Sequence, residues 1–281
     1  MNNERKNKIV PTLRFPEFKD SEGWIKKTLI DLAIDGFSNG VFNDPKKVGC
    51  GYKLINVLDM YLDIPIDEHR LSLIDISYSE FLKNKVVFGD IFFTRSSLVA
   101  AGIAQSNIYL GTSDDITFDG HLIRLRPDTE IIEPVFLHYA LKTEKVRSQL
   151  IAKGKTATMT TIGQSDIATT LLSIPLPIEQ KKIFNCLSSL DELITAHIQE
   201  LEALKAHKKG LMQQLFPAEG ETVPKLRFSE FKDAWKIKKV GELCDWIVPG
   251  RNKPKSFSGS IPWITTPDIS HHATITESQS H

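Results

Sequence analysis

The sequence has little of what marks a secreted, membrane-bound or catalytic chain. Only three cysteines occur, Cys50, Cys186 and Cys244, odd in number and far apart. They build neither a disulfide framework nor a CxxC metal site, which points to a reducing, cytoplasmic setting. No apolar run approaches the roughly 18 residues of a membrane span, and the polar start Met1–Lys6 is unlike a signal peptide. A soluble chain with no membrane partner is expected. Charge of one sign is missing as well, because 35 Lys and Arg balance 35 Asp and Glu. Chemistry-bearing loops are scarce. Gly154-Lys155-Thr156 ends like a Walker A loop, but position 149 holds Gln149 where the motif needs glycine, and a helix is expected before it. Asn43-Asp44-Pro45-Lys46 lacks the second proline and the stacking aromatic of an amine-holding tetrad, and Pro127-Asp128 is followed by no acid-x-Lys pair at nuclease distance. The eight histidines are scattered, and His271-His272 has no Cys or carboxylate cluster around it. No metal site and no catalytic residue is expected.

What is present is a long-period repeat. Pro11-Thr12-Leu13-Arg14-Phe15-Pro16-Glu17-Phe18-Lys19-Asp20, followed by Trp24, returns as Pro224-Lys225-Leu226-Arg227-Phe228-Ser229-Glu230-Phe231-Lys232-Asp233, followed by Trp235. Eight of ten positions match at an offset of 213. A looser likeness continues, with Tyr52–Met60 resembling 261–269. The period is too long for a solenoid and fits duplication of a domain with its connector. One unit runs from about 11 to 223, and the 58 residues from 224 to 281 read as the incomplete start of a second.

Between the copies, Pro177 to Phe216 reads as one helix, with proline in its first turn and Pro217 and Gly220 as the stop. Ile183, Leu187, Leu190, Ile194, His197, Leu201, Leu204, Lys208, Leu211 and Leu215 step alternately by four and three, a heptad seam with only His197 and Lys208 polar. A small domain has no use for such a rod in its own core. The apolar stripe calls for another long helix.

The fold class expected is α+β. It comprises a mixed α/β domain over 1–177, a coiled-coil helix over 178–216 and an incomplete second copy over 217–281. Lys53–Leu58, Val86–Thr94 and His121–Arg126 carry strand-type runs, and Pro134–Ala152 reads as a helix ending at Gly154. A polar stretch, Lys155 to Gln164, reads as a surface loop. Net neutrality conceals two basic clusters: Lys142, Lys145, Arg147, Lys153 and Lys155, and then Lys236, Lys238, Lys239, Arg251, Lys253 and Lys255. Local clusters of this kind bind phosphate even on a neutral chain, and they also occur as plain solvated surface.

These blocks together resemble the specificity subunit of type I restriction-modification systems. The resemblance is carried by the entry segment Pro11–Trp24 and its copy Pro224–Trp235, by Gly89-Asp90-Ile91-Phe92-Phe93-Thr94-Arg95, and by Ile174-Pro175-Leu176-Pro177-Ile178-Glu179-Gln180 running into a helix that closes on Leu211–Phe216. It implies a non-catalytic subunit with two target-recognition domains, each followed by a long helix. Such a subunit reads a split double-stranded DNA target and holds modification (methyltransferase) and restriction subunits. S-adenosylmethionine and ATP with Mg²⁺ then belong to those partners, and no cofactor to this chain. With one long helix in the sequence, the seam Ile183, Leu187, Leu190, Ile194, Leu201, Leu204, Leu211 and Leu215 is expected to pair with its equivalent in a second copy, giving a dimer of half-subunits. Candidate DNA contacts are Lys153, Lys155, Thr156 and Thr158 in the polar stretch, and Arg95 with Ser96 and Ser97 at the end of an apolar strand. Lysines and threonines suit phosphates and base edges, and arginine takes guanine edges bidentately. The rival expectation is a coiled-coil adaptor that binds protein without reading DNA.

Overall fold

A computed structural model describes residues 9–245. The loose parallel at 261–269, the cations Arg251, Lys253 and Lys255, and His271-His272 lie outside the described residues. The chain divides into two compact units, 1–198 and 199–281, with the boundary inside the long helix.

The first unit opens with strands β1 (Ile25–Thr28), β2 (Ala33–Asn39), β3 (Val48–Ile55) and β4 (Ser72–Ile74), then helix α1 (Tyr78–Asn84). Next come β5 (Ile91–Thr94), β6 (Ser96–Ser97), β7 (Ser106–Ile108), β8 (Ile116–Phe118) and β9 (Leu122–Pro127). Helices α2 (Pro134–Lys142) and α3 (Glu144–Lys153) lead to β10 (Lys155–Thr156), β11 (Thr160–Thr161), α4 (Gln164–Ala168), β12 (Leu171–Ile174) and the long α5 (Pro177–Leu215). This is the mixed α+β class expected.

The central sheet has the order β2-β9-β5-β7 and is antiparallel throughout. In β5, all four residues Ile91-Phe92-Phe93-Thr94 are buried. Side chains alternate across a strand, so Ile91 and Phe93 enter one core with Leu137, Leu141 and Leu150 of α2 and α3, while Phe92 enters a second core with Met60, Tyr109 and Phe118. A strand covered on both faces reads as a continuous apolar run. The Gly89-Asp90 entry to β5 is structural too. Gly89 holds φ +88°, and a Cβ there would meet Pro134 Cγ at 3.0 Å. Asp90 is fully buried and accepts from Arg126 Nε (2.7 Å), Arg126 Nη2 (2.8 Å) and the amide of Val87 (3.0 Å).

Four local readings change. The strand expected over 86–94 is confined to Ile91–Thr94, because the chain turns at Gly89 (φ +88°) before entering β5. The helix expected over 134–152 is two helices, because Thr143 is extended (φ −64°, ψ 143°) and its hydroxyl donates back to the carbonyl of Ala140 at 2.7 Å. Threonine competes with the helical backbone in this way. The strand expected over 53–58 begins earlier, at Val48, and ends at Ile55, where a capping box of Asn56 and Asp59 starts a 3-10 helix. The stretch Lys155–Gln164 is not an open loop: it contains β10, β11 and the first residue of α4.

Helix α5 starts where expected and is rooted by its first turn. Glu179 and Gln180 are its buried residues. Arg14 donates from Nε to Glu179 Oε1 at 2.8 Å and from Nη2 to Oε2 at 2.7 Å, and Trp24 Nε1 adds a third bond at 3.2 Å. Gln180 accepts the amide of Glu133 at 2.9 Å and donates to the carbonyls of Ile131 and Pro175. Ile183 and Phe184 then pack on the first core. Beyond them the stripe emerges: Leu190, Ile194, Leu201 and Leu204 each leave more than half their surface exposed.

In the second unit, α5 runs to Leu215, and the backbone returns so that Leu226 donates to the carbonyl of Gln214 at 2.9 Å. Phe216 meets Trp235 edge-on, with ring centres 5.5 Å apart.

Two outcomes are expected. Glu179→Ala strands a buried guanidinium and lowers the urea unfolding midpoint by more than Lys182→Ala, which removes only the exposed pair with Glu17 at 3.2 Å. Equal midpoints would contradict the rooting. His138 on α2 is buried, its Nδ1 has no partner among the described residues, and burial, assisted by Lys142, pushes its pKa down to about 3. The unfolded chain therefore takes up a proton that the folded chain refuses. Stability should fall as pH drops from about 6.5 toward 3, and wild type should lose up to about 1.4 kcal/mol per pH unit relative to His138→Leu in that window. Urea melts of both proteins across pH check this.

Candidate nucleic-acid interface

The two candidate regions lie about 60 residues apart in sequence, yet they form one small sheet of order β10-β11-β6. Thr160 pairs with Ser97 and Thr161 with Ser96, while Lys155 pairs with Thr161 and Thr156 with Thr160. The backbone of Arg95 is held on both sides: its N–H donates to the carbonyl of His121 at 3.0 Å, and its carbonyl accepts from Ile162 at 3.0 Å. The side chain of Arg95 is exposed and makes no hydrogen bond or ion pair among the described residues. A rigidly mounted cation of this kind loses little backbone entropy on meeting a ligand.

The remaining candidates differ in how they are engaged. Lys155 is exposed and lies 3.6 Å from Asp166 Oδ2. Thr158 is exposed at the tip of the β10–β11 hairpin. Thr156 shares a hydroxyl contact of 2.9 Å with Thr160. Ser96 and Ser97 are half-buried in the sheet. Lys153 is spent on the protein itself: its ammonium donates to Thr169 Oγ1 at 2.9 Å and to Thr170 Oγ1 at 3.0 Å, and partial burial lowers its pKa. Arg147, from the same basic cluster, clamps the carbonyls of Ala101, Ile103 and Ala104. Arg124 and Arg126 alternate along β9 onto one strand face, and both turn inward to the carbonyl of Lys85, Arg126 also to Asp90. The cluster that looks uniformly basic in sequence thus contributes Lys142, Lys145 and Lys155 to the exposed surface, and Arg147 and Lys153 to internal bonds.

Sequence reading missed four neighbours of this rim. His121 follows the turn before β9, is largely exposed and holds Asp119 Oδ1 at 2.8 Å through Nδ1. Leu98 and Val99, next to β6, and Met159, next to β11, are exposed apolar residues flanking the sheet. Exposure was the only available signal, and a single sequence does not display it. Among the described residues no group of three or more His, Cys, Asp or Glu is placed to hold a metal ion, and no helix is long and apolar enough to cross a membrane. The rim offers cations, hydroxyls and small apolar contacts, a set suited to phosphates and base edges.

A family model described as type I restriction modification DNA specificity domain matches residues 23–206. A putative type I restriction enzyme MjaX specificity subunit from Methanocaldococcus jannaschii is 30% identical over 244 residues, 84% of this chain and 56% of that protein. The type I restriction enzyme MjaVIII specificity subunit from the same organism is 26% identical over 198 residues, 65% of this chain and 45% of that protein. The chain therefore spans about half the length of the curated relatives it matches. Among solved structures, the S subunit of a type I restriction-modification system from M. genitalium aligns at 17% identity and a TM-score of 0.46, over 70% of this chain and 46% of that one. The match over residues 23–206 places this chain in the family of type I restriction-modification DNA specificity domains.

Proposed function

We propose that the chain is a sequence-specific DNA-binding half of a type I restriction-modification specificity subunit. In this reading residues 1–177 form a target-recognition domain, 178–216 the connecting helix, and 217–281 the start of a second recognition domain. The observation that supports it most is the β10-β11-β6 sheet, which joins two sequence-distant candidate segments into one exposed rim of cations and hydroxyls. The partners are double-stranded DNA, modification subunits that bring S-adenosylmethionine chemistry, and a restriction subunit that brings ATP and Mg²⁺. This chain itself holds no cofactor and catalyses nothing.

The exposed seam of α5 supports a second part of the proposal. Thirty-nine helical residues make a rod of about 58 Å at 1.5 Å per residue. Leu190, Ile194, Leu201 and Leu204 are too exposed to be explained by the folding of either unit. Two copies pairing along this stripe form a two-fold dimer, and a two-fold dimer reads a split site whose halves are inverted copies of each other.

Three measurements test these statements. With fluorescent duplex DNA and the modification subunit present, Lys155→Ala should weaken binding to all sequences and flatten the dependence of log K on log salt by about one unit. Lys153→Ala should leave that slope unchanged, because its ammonium already serves Thr169 and Thr170. Arg95→Ala should relax preference at one base position, at a cost of about 1–3 kcal/mol in discrimination. Duplex binding that is absent with the modification subunit present would favour the adaptor reading. Sedimentation at micromolar concentration should return twice the 31.7 kDa chain mass, and a monodisperse monomer would refute self-pairing.

A further inference from the structure

One end of the β10-β11-β6 sheet carries an apolar tip. Ser97 pairs with Thr160, and the next residues beyond that pair are Leu98 on one strand and Met159 on the other. Leu98 leaves 85% of its surface exposed, and Val99 and Met159 are exposed with it. Ala100 and Ala101 follow, so that four consecutive apolar residues, 98–101, are exposed. A run of that length on the surface of a folded domain calls for a function.

The loop that carries it is firmly held. Arg147 donates from Nη1 to the carbonyl of Ala104 at 2.6 Å and from Nη2 to those of Ala101 and Ile103 at 2.9 Å. Thr94 Oγ1 donates to the carbonyl of Gly102 at 3.2 Å, and the amide of Val99 to Ser97 Oγ at 3.3 Å. A Cβ on Gly102 would stand 2.5 Å from Ser97 Oγ, so the loop closes as tightly as glycine permits. In the neighbouring hairpin the amide of Ala157 donates to the carbonyl of Met159 at 3.1 Å. Leu98, Val99 and Met159 belong to none of the domain's cores. Side chains mounted on a fixed backbone lose little freedom when a ligand covers them.

The surroundings indicate what covers the tip. Arg95 and Lys155 are the only charged residues in 95–101 and 155–161, and every other polar residue there is serine or threonine. Cations and hydroxyls around an apolar tip complement the phosphates and base edges of a duplex. A stable protein partner would engage about 20–30 residues a side, far more than this tip presents. Duplex DNA offers two kinds of apolar surface, the C5-methyl of thymine at the edge of the major groove and the faces of the stacked bases. Reaching a base face requires unstacking, at a cost comparable with all that one buried leucine contributes. The thymine methyl is displayed without distortion, and the major groove admits a two-stranded ribbon such as the β10–β11 hairpin. We infer that Leu98 and Met159 are specificity-determining residues that pack on a thymine methyl, so that the target contains an A·T pair read through that group. The inference rests on the DNA-binding reading above and supplies the apolar part of its readout.

The test selects duplexes from a random pool with the full chain and the modification subunit, then replaces each thymine of the selected sequence by deoxyuridine, which lacks only the methyl. At one position or more, deoxyuridine should weaken binding by about fourfold, the effect of one buried methyl. Carrying Leu98→Ala and Met159→Ala together, the chain should bind the thymine and deoxyuridine duplexes equally at that position. Both side chains are exposed, and substitutions at such sites leave stability nearly unchanged. A selected sequence that holds no thymine, deoxyuridine without effect at every position, or a double variant that keeps the full thymine preference would overturn the inference and leave DNA binding standing. A pool from which no duplex is selected would overturn the DNA-binding reading and this inference with it.

Discussion

A carboxylate with almost no solvent contact governs how this molecule is put together. Glu179 sits on the third residue of a 39-residue helix and receives three donors from an entry segment more than 150 residues earlier. Gln180, the next residue, accepts one bond from the loop before α2 and donates two, to that loop and to Pro175 just after β12. Adjacent helical residues point about 100° apart, so the two side chains grip two different parts of the domain. A buried ion pair contributes little net stability over an apolar substitute, and its clearer effect is to fix one geometry. Here the geometry fixed is the angle at which a rod leaves a globular domain.

The β10-β11-β6 rim depends on the same economy of structure. Strand β5 is buried on both faces and runs directly into Arg95 and β6, so the core that stabilises the domain also mounts the rim. The hairpin of β10 and β11 reaches the rim from the other side, following α3. Several cations that could have enlarged the rim are used internally: Arg147 closes a turn, Lys153 binds two hydroxyls, and Arg126 neutralises buried Asp90. A protein of zero net charge can therefore still carry a small positive edge without the long-range field of a basic domain.

The sequence made some of this legible and hid the rest for identifiable reasons. The long helix was readable because its start, its seam and its stop are all local, and the observed Pro177–Leu215 differs from the expected end by one residue. The strand-type run expected over 86–94 was readable only in its second half, where Ile91–Thr94 forms a doubly covered strand with no alternation to misinterpret. The break at Thr143 was not, since a single threonine hydroxyl decides it against a helical pattern that continues on both sides. The joining of Ser96-Ser97 to Thr160-Thr161 was also out of reach, because pairing between short polar strands leaves no periodic trace. Among the cations, composition identified the cluster but could not separate Lys155, which is exposed, from Lys153, whose ammonium is held by Thr169 and Thr170. The Pro-x-Glu-Gln block was recognisable as a motif, whereas its purpose as a two-sided bolt required the coordinates of Arg14, Trp24 and Ile131.

What remains unsatisfied within the chain is the apolar stripe midway along α5, and the account centres on the claim that another helix covers it. Amide hydrogen exchange of residues 187–204, followed as a function of protein concentration, addresses that claim directly, because exchange reports local opening and pairing suppresses it. The account predicts that protection in this stretch rises with concentration while protection in β5 and β9 stays constant. Strong protection of 187–204 that is independent of concentration down to a demonstrated monomer would contradict it.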